Sequence, residues 1–185
     1  MRKIILFLPV TDYLKTRRKL VQKFIISAIP AIIALIYSLV FNMRNSIDIA
    51  QVFNSFVNLQ ISAIAILISF SIAIITILVS SDSKSVQKLR NTTASEKNYK
   101  LTKSGEPLTL FQVLLTNITY NVLIEIVYLG ILICQIFLQM VLDVGILKYL
   151  TALNLFFITH ILLVLLESVV YMYLTFWKDP KDARS

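Results

Sequence analysis

The chain has 185 residues, 57 % of them apolar, and a formal net charge of +8. A soluble domain of this length cannot hide that much apolar surface in its core, so an ordinary cytosolic domain is excluded. The predicted fold class is all-α: a polytopic membrane protein, one transmembrane domain over 1–185, with four membrane-crossing helices in a bundle that assembles as a homo-oligomer.

Taken in chain order, residues 4–8 form a short apolar stretch after Met1-Arg2-Lys3. It imitates a signal peptide, but Pro9 and a charged stretch follow without a small-residue cleavage site, so it is expected to dip into the inner leaflet. Thr11 or Asp12 is the expected cap of a basic interfacial helix over 11–23. Four apolar runs come next or later, at 24–41, 57–79, 118–140 and 152–176. Each is near or above the roughly 18 residues that cross a hydrocarbon core as a helix. Pro30 falls inside the first run, where it kinks the helix or marks a packing contact. No Gly or Pro lies between Ile47 and Val79, so one helix is predicted from Ser46 through the second run. The second helix is expected to extend through Leu89. Residues 91–107 read as a mobile loop ending in the turn signal Gly105-Glu106-Pro107. The third helix is expected from about Leu108 and enters the membrane near Ile118. Gly145 marks the outer turn, Trp177 an interfacial anchor, and 177–185 a short cytosolic tail.

The cations are sorted. Of the 18 Lys and Arg, seven precede the first run, one lies between the first and second, six between the second and third, one between the third and fourth, and three follow the fourth. Basic residues at span ends stay preferentially on the cytoplasmic side. The expected topology therefore has both termini and the 80–117 loop on the cytoplasmic side of the membrane. Sixteen basic residues then face six acidic ones on the cytosolic side. Anionic lipid is one expected partner, at about 1 kcal/mol per basic residue near the surface. A nucleotide or oligonucleotide is another. Arg17, Arg18, Lys84, Lys88 and Arg90 are the candidate phosphate contacts, since phosphate binding needs clustered cations.

Two polar rows run inside the membrane. The second span carries Asn58, Ser62, Ala65, Ser69, Ala73, Thr76 and Ser80 at helical spacing. Such a stripe either lets two helices approach closely or lines a water path in an oligomer, one helix per subunit; a tetramer is the favoured assembly. The third helix carries Asn117, Asn121, Glu125, Tyr128, Gln135 and Gln139, and the fourth adds His160, Glu167 and Tyr171 on one face. Glu125 and Glu167 lie about 10 and 13 Å from the cytoplasmic ends of their spans, at about 1.5 Å per residue. Both carboxylates are thus expected at one level, and Gln135 is expected to pair with His160. This row is either a structural polar network or an ion- or proton-linked site, which leaves a carboxylate-dependent transporter as an alternative function. A non-conducting scaffold subunit is a further alternative.

Catalysis finds no support. One His and one Cys (Cys134) supply no metal centre, thiol relay or disulfide, and three glycines leave no room for a phosphate loop. Neither an enzyme activity, a metal nor a cofactor is expected. With four spans, no enzyme core and a basic cytosolic segment reading Lys84-Ser85-Val86-Gln87-Lys88-Leu89-Arg90, the chain resembles the compact membrane effectors of bacterial anti-phage systems of the Hailong type. That resemblance implies an oligomeric, channel-like antiviral assembly in a bacterial cytoplasmic membrane, controlled by an anionic nucleotide or oligonucleotide made by a partner enzyme.

Overall fold

The computed structural model describes residues 7–40, 46–94, 99 and 106–177. They form six helices: α1 (Leu8–Thr16), α2 (Leu20–Val40), α3 (Ser46–Ser80), α4 (Lys84–Asn91), α5 (Leu110–Leu138) and α6 (Val144–Trp177). Four helices are long and apolar enough to cross a membrane, over Leu20–Val40, Ile49–Ser80, Leu110–Leu138 and Val144–Tyr173. The protein is all-α and multi-pass. Most of the expected apolar leader, the greater part of the 91–107 loop and the tail lie outside the described residues.

The N-terminal helix is not where the charge pattern put it. Instead of one helix over 11–23, α1 ends at Thr16 and Arg17 takes an extended conformation, φ −89° and ψ 133°. Pro9 sits in the first turn of α1, where its fixed φ suits the helix and its missing N–H costs nothing. Neither Thr11 nor Asp12 caps it; Phe7 occupies that position without a side-chain bond, and the Thr11 hydroxyl donates to the Leu8 carbonyl at 2.8 Å. The break at Arg17 re-aims its side chain inward, as described below.

The unbroken helix expected from Ser46 is present: α3 runs 35 residues. It does not extend through Leu89. Ser81, Asp82 and Ser83 interrupt it, and Ser83 caps the separate α4 by accepting from the Val86 N–H at 3.4 Å. Ser and Asp side chains offer the backbone local bonds that compete with helix, and Ser83 N–H donates to Ser81 Oγ at 3.3 Å. At α5, Thr109 and Gln112 exchange bonds of 3.0 and 3.2 Å between each side chain and the other's N–H. This reciprocal capping box fixes the start at Leu110. The turn after α5 closes through Leu142 N–H to Leu138 C=O at 3.0 Å, so Gly145 belongs to the first turn of α6 rather than to the connection.

The helices form two compact units. Unit 1 comprises 1–20, 71–123 and 164–185; unit 2 comprises 21–70 and 124–163. In unit 1, Ile74 and Leu78 of α3 pack with Leu89 of α4 and with Leu114 and Ile118 of α5. The ends of the connection between α4 and α5 are clamped there, with Ala94 N–H donating to Leu108 C=O at 2.7 Å and Leu110 N–H to Thr92 C=O at 2.8 Å. In unit 2 the core is Phe53, Val57 and Ile64 of α3, Tyr128 and Leu132 of α5, and Leu147 and Ile161 of α6. Much of α2 is left uncovered: Ile32, Ile33 and Ile36 are each more than half exposed. Acyl chains solvate such a surface at no cost, which is why a membrane helix tolerates it.

Candidate functional site

In unit 1 the extended backbone at Arg17 places its guanidinium in a buried aromatic and acidic cluster. Nη1 donates to Glu167 Oε1 and to the Tyr99 hydroxyl, both at 2.7 Å. The Tyr99 hydroxyl donates to the same carboxylate at 3.4 Å. The guanidinium lies 4.9 Å from the Tyr13 ring centre and 4.6 Å from that of Tyr99, a cation–π arrangement strengthened by desolvation. Tyr13 in turn stacks on Tyr120 at 3.8 Å and 6°. Burial pushes the Tyr13 and Tyr99 phenols well above their usual range, with Arg17 pulling the other way. Both phenols therefore stay neutral.

This arrangement corrects one expectation. Arg17 is 5 % exposed and committed to Glu167, so it is not a surface cation for phosphate. The remaining candidates are outward. Lys84 and Arg90 are exposed and Lys88 is half-buried, while Val86 and Leu89 on the other side of α4 are buried. Lys84 and Lys88, four residues apart, share a helix face. Arg90 lies 3.7 Å from Asp82 and 5.1 Å from the centre of the Phe111 ring. Arg18 is exposed on the break between α1 and α2. Asn117 and Asn121 are buried in the same unit, and neither amide atom of Asn117 has a hydrogen-bond partner among the described residues.

Unit 2 holds a neutral network. Gln135 and Asn154 exchange side-chain bonds, Gln135 Nε2 to Asn154 Oδ1 at 3.1 Å and Asn154 Nδ2 to Gln135 Oε1 at 2.7 Å. The Tyr128 hydroxyl bonds Gln60 Oε1 and lies 3.1 Å from the Asn154 carbonyl. Gln139 donates to Asn54 at 3.3 Å. The expected Gln135–His160 pair does not form. His160 lies six residues beyond Asn154, about 9 Å further along α6 and about 120° around it at about 100° and 1.5 Å per residue. Its Nδ1 meets the Ser27 hydroxyl at 3.2 Å, and its ring stacks on Phe24 at 4.9 Å. Glu125 is fully buried in this unit.

The row on α3 has a different character. Asn58, Ser62, Ala65, Ser69, Ala73, Thr76 and Ser80 are all exposed. The core contacts of α3 are made instead by Phe53, Val57, Ile64, Ile74 and Leu78. The stripe is therefore not a contact between helices of one chain. Its hydroxyls fold back on their own helix: Ser62 to Asn58 C=O at 3.2 Å, Ser69 to Ala65 C=O at 3.0 Å, Thr76 to Ile72 C=O at 3.0 Å and Ser80 to Thr76 C=O at 2.6 Å. Ser71, off the stripe, is buried.

Sequence reasoning missed Tyr13, Tyr99, Gln60 and Asn154. Gln60 and Asn154 had a usable signal, since each is an amide inside a span and must find a partner. Tyr99 had none, because it belongs to a Thr/Ser/Lys-rich connection. The chain matches no protein-family model, no curated protein and no solved structure.

Proposed function

We propose that the chain is the subunit of a homo-oligomeric, ion-conducting membrane assembly, set open or closed by an anionic nucleotide or oligonucleotide on its basic side. Its role is that of an antiviral effector of the type the sequence resembles. The observation that carries this reading is the α3 stripe. Seven small or polar residues, from Asn58 to Ser80, form one exposed row along a membrane-length helix whose opposite side packs into its own chain through Val57, Ile64, Ile74 and Leu78. Small residues let a second copy approach closely, and hydroxyls bonded to their own backbone keep acceptor capacity for water. One α3 from each of several subunits, four in the favoured assembly, meets both requirements around a central axis. A lone chain does not enclose a path with this face.

The ligand reading rests on Lys84 and Lys88 of α4, with Arg90 and Arg18 as further exposed cations. Arg17 takes no part. The test is current through planar bilayers containing the purified, size-verified oligomer, with short oligodeoxynucleotides added to one side. The expected result is a conductance that responds to the oligonucleotide and loses that response in the Lys84→Gln/Lys88→Gln/Arg90→Gln variant. Flat traces from correctly assembled protein under every ligand condition would leave a non-conducting scaffold as the function.

A further inference from the structure

Unit 2 contains an apolar cleft of about 580 Å³ bounded by Pro30, Ala34 and Tyr37 of α2, Phe53 and Phe56 of α3, and Lys148 of α6. Two of its polar linings bond their own helices: Ser38 donates to Leu35 C=O at 2.9 Å and Thr151 to Leu147 C=O at 2.9 Å. Lys148 differs. Its ammonium lies 5.2 Å from the centre of the Tyr149 ring, and no carboxylate lies within ion-pair distance of it among the described residues.

Position defines the occupant. Lys148 is four residues, about 6 Å, inside the start of α6, whereas Pro30 is ten residues, about 15 Å, from the end of α2 at Val40. All three bounding helices have membrane-crossing length and composition. The cleft thus offers one cation near the helix ends and an apolar trough running two turns along α2 and α3 away from them. A half-buried lysine keeps its stem on apolar surface and its head at the interface. We propose that this cleft binds one acyl chain of an anionic glycerophospholipid whose phosphate is held by Lys148. The site uses none of the α4 cations, and it stands whether or not the assembly conducts.

The experiment is native mass spectrometry of the full-length protein, delipidated in detergent and titrated with phosphatidylglycerol or phosphatidylcholine. The wild type is expected to retain one phosphatidylglycerol per subunit. Ala34→Trp, which fills the trough, is expected to lose that retained lipid. Lys148→Gln keeps the trough and is expected to lower the preference for phosphatidylglycerol about fivefold, the equivalent of about 1 kcal/mol for one basic residue at a membrane surface. Lys148 is only half-buried, so this variant reads the site even where Ala34→Trp fails to fold. An unchanged phosphatidylglycerol preference in Lys148→Gln overturns the proposal. So does an Ala34→Trp variant that dissociates the oligomer with its lipid count intact, since a second copy of the chain then fills the cleft.

Discussion

Unit 1 contains a buried guanidinium held in an ion pair, and unit 2 contains a closed network of neutral amides and a phenol. In unit 1 the Arg17 guanidinium, Glu167 and Tyr99 close a triangle of bonds against two tyrosine rings. In unit 2 the polar side chains of Gln135, Asn154, Gln60 and Tyr128 satisfy one another without a formal charge. The energetic consequences differ. A buried charge is expensive to desolvate, so its pair is worth little against an apolar replacement but is costly to break from one side. Neutral amides carry a smaller penalty and a smaller net gain, averaging about 0.6 kcal/mol between membrane helices. The charged cluster ties a segment between α1 and α2 and one residue of the α4–α5 connection to α6. The neutral network only joins helices that already pack through Leu132, Leu147 and Ile161. Unit 1 therefore carries one polar contact that is costly to break from one side, and unit 2 several that are each cheap to lose.

The sharpest break of this contrast is Arg17→Ala. It removes the cation paired with Glu167 and is expected to cost about 3–5 kcal/mol, toward the lower figure because the Glu167 side chain is 19 % exposed and still accepts from the Tyr99 hydroxyl. Chemical unfolding in detergent measures it. Arg17→Met/Glu167→Met, which removes both charges, is expected to recover most of that loss. If it costs as much as the single change, the cluster is held by something other than the pair. Next is Tyr128→Phe, which leaves Gln60 without its donor and is expected to cost about 1–3 kcal/mol. Gln135→Leu follows, at about 0.6–2 kcal/mol. A double-mutant cycle should show coupling between Gln135 and Asn154 and none between Gln135 and His160; coupling to His160 alone contradicts the observed network. Arg90→Ala is expected to change stability by less than about 1 kcal/mol, since its pairing with Asp82 is exposed.

The same contrast explains what was legible in the sequence. The four membrane helices were readable because hydropathy over some 20 residues is a strong signal, and the unbroken course of α3 from Ser46 followed from the absence of Gly and Pro. The neutral network was half readable. The depth of Gln135, counted along the apolar runs, points to His160, whereas its partner is Asn154 on α6, which begins at Val144. The charged cluster was not readable. Arg17 sits among Lys15, Arg18 and Lys19, and nothing in a run of like cations shows which one turns inward. That depends on the extended backbone at Arg17 and on Tyr99, which arrives from a distant polar connection. The α3 stripe was visible as a row, yet its exposure was not, because packing decides which face of an α-helix its own chain covers.

That exposed row is the claim on which the functional reading turns, and cysteine accessibility tests it most directly. With the exposed native Cys134 replaced by Ala, Ser62→Cys, Ser69→Cys and Thr76→Cys are compared in bilayers with Ile64→Cys and Ile74→Cys, on the opposite side of α3, which its own chain covers. A charged, membrane-impermeant thiol reagent is expected to modify the three stripe positions and to block the current, leaving the two isoleucine positions unreacted. Stripe cysteines that stay unmodified in a conducting assembly, or that react while the current is untouched, would contradict a water path along α3.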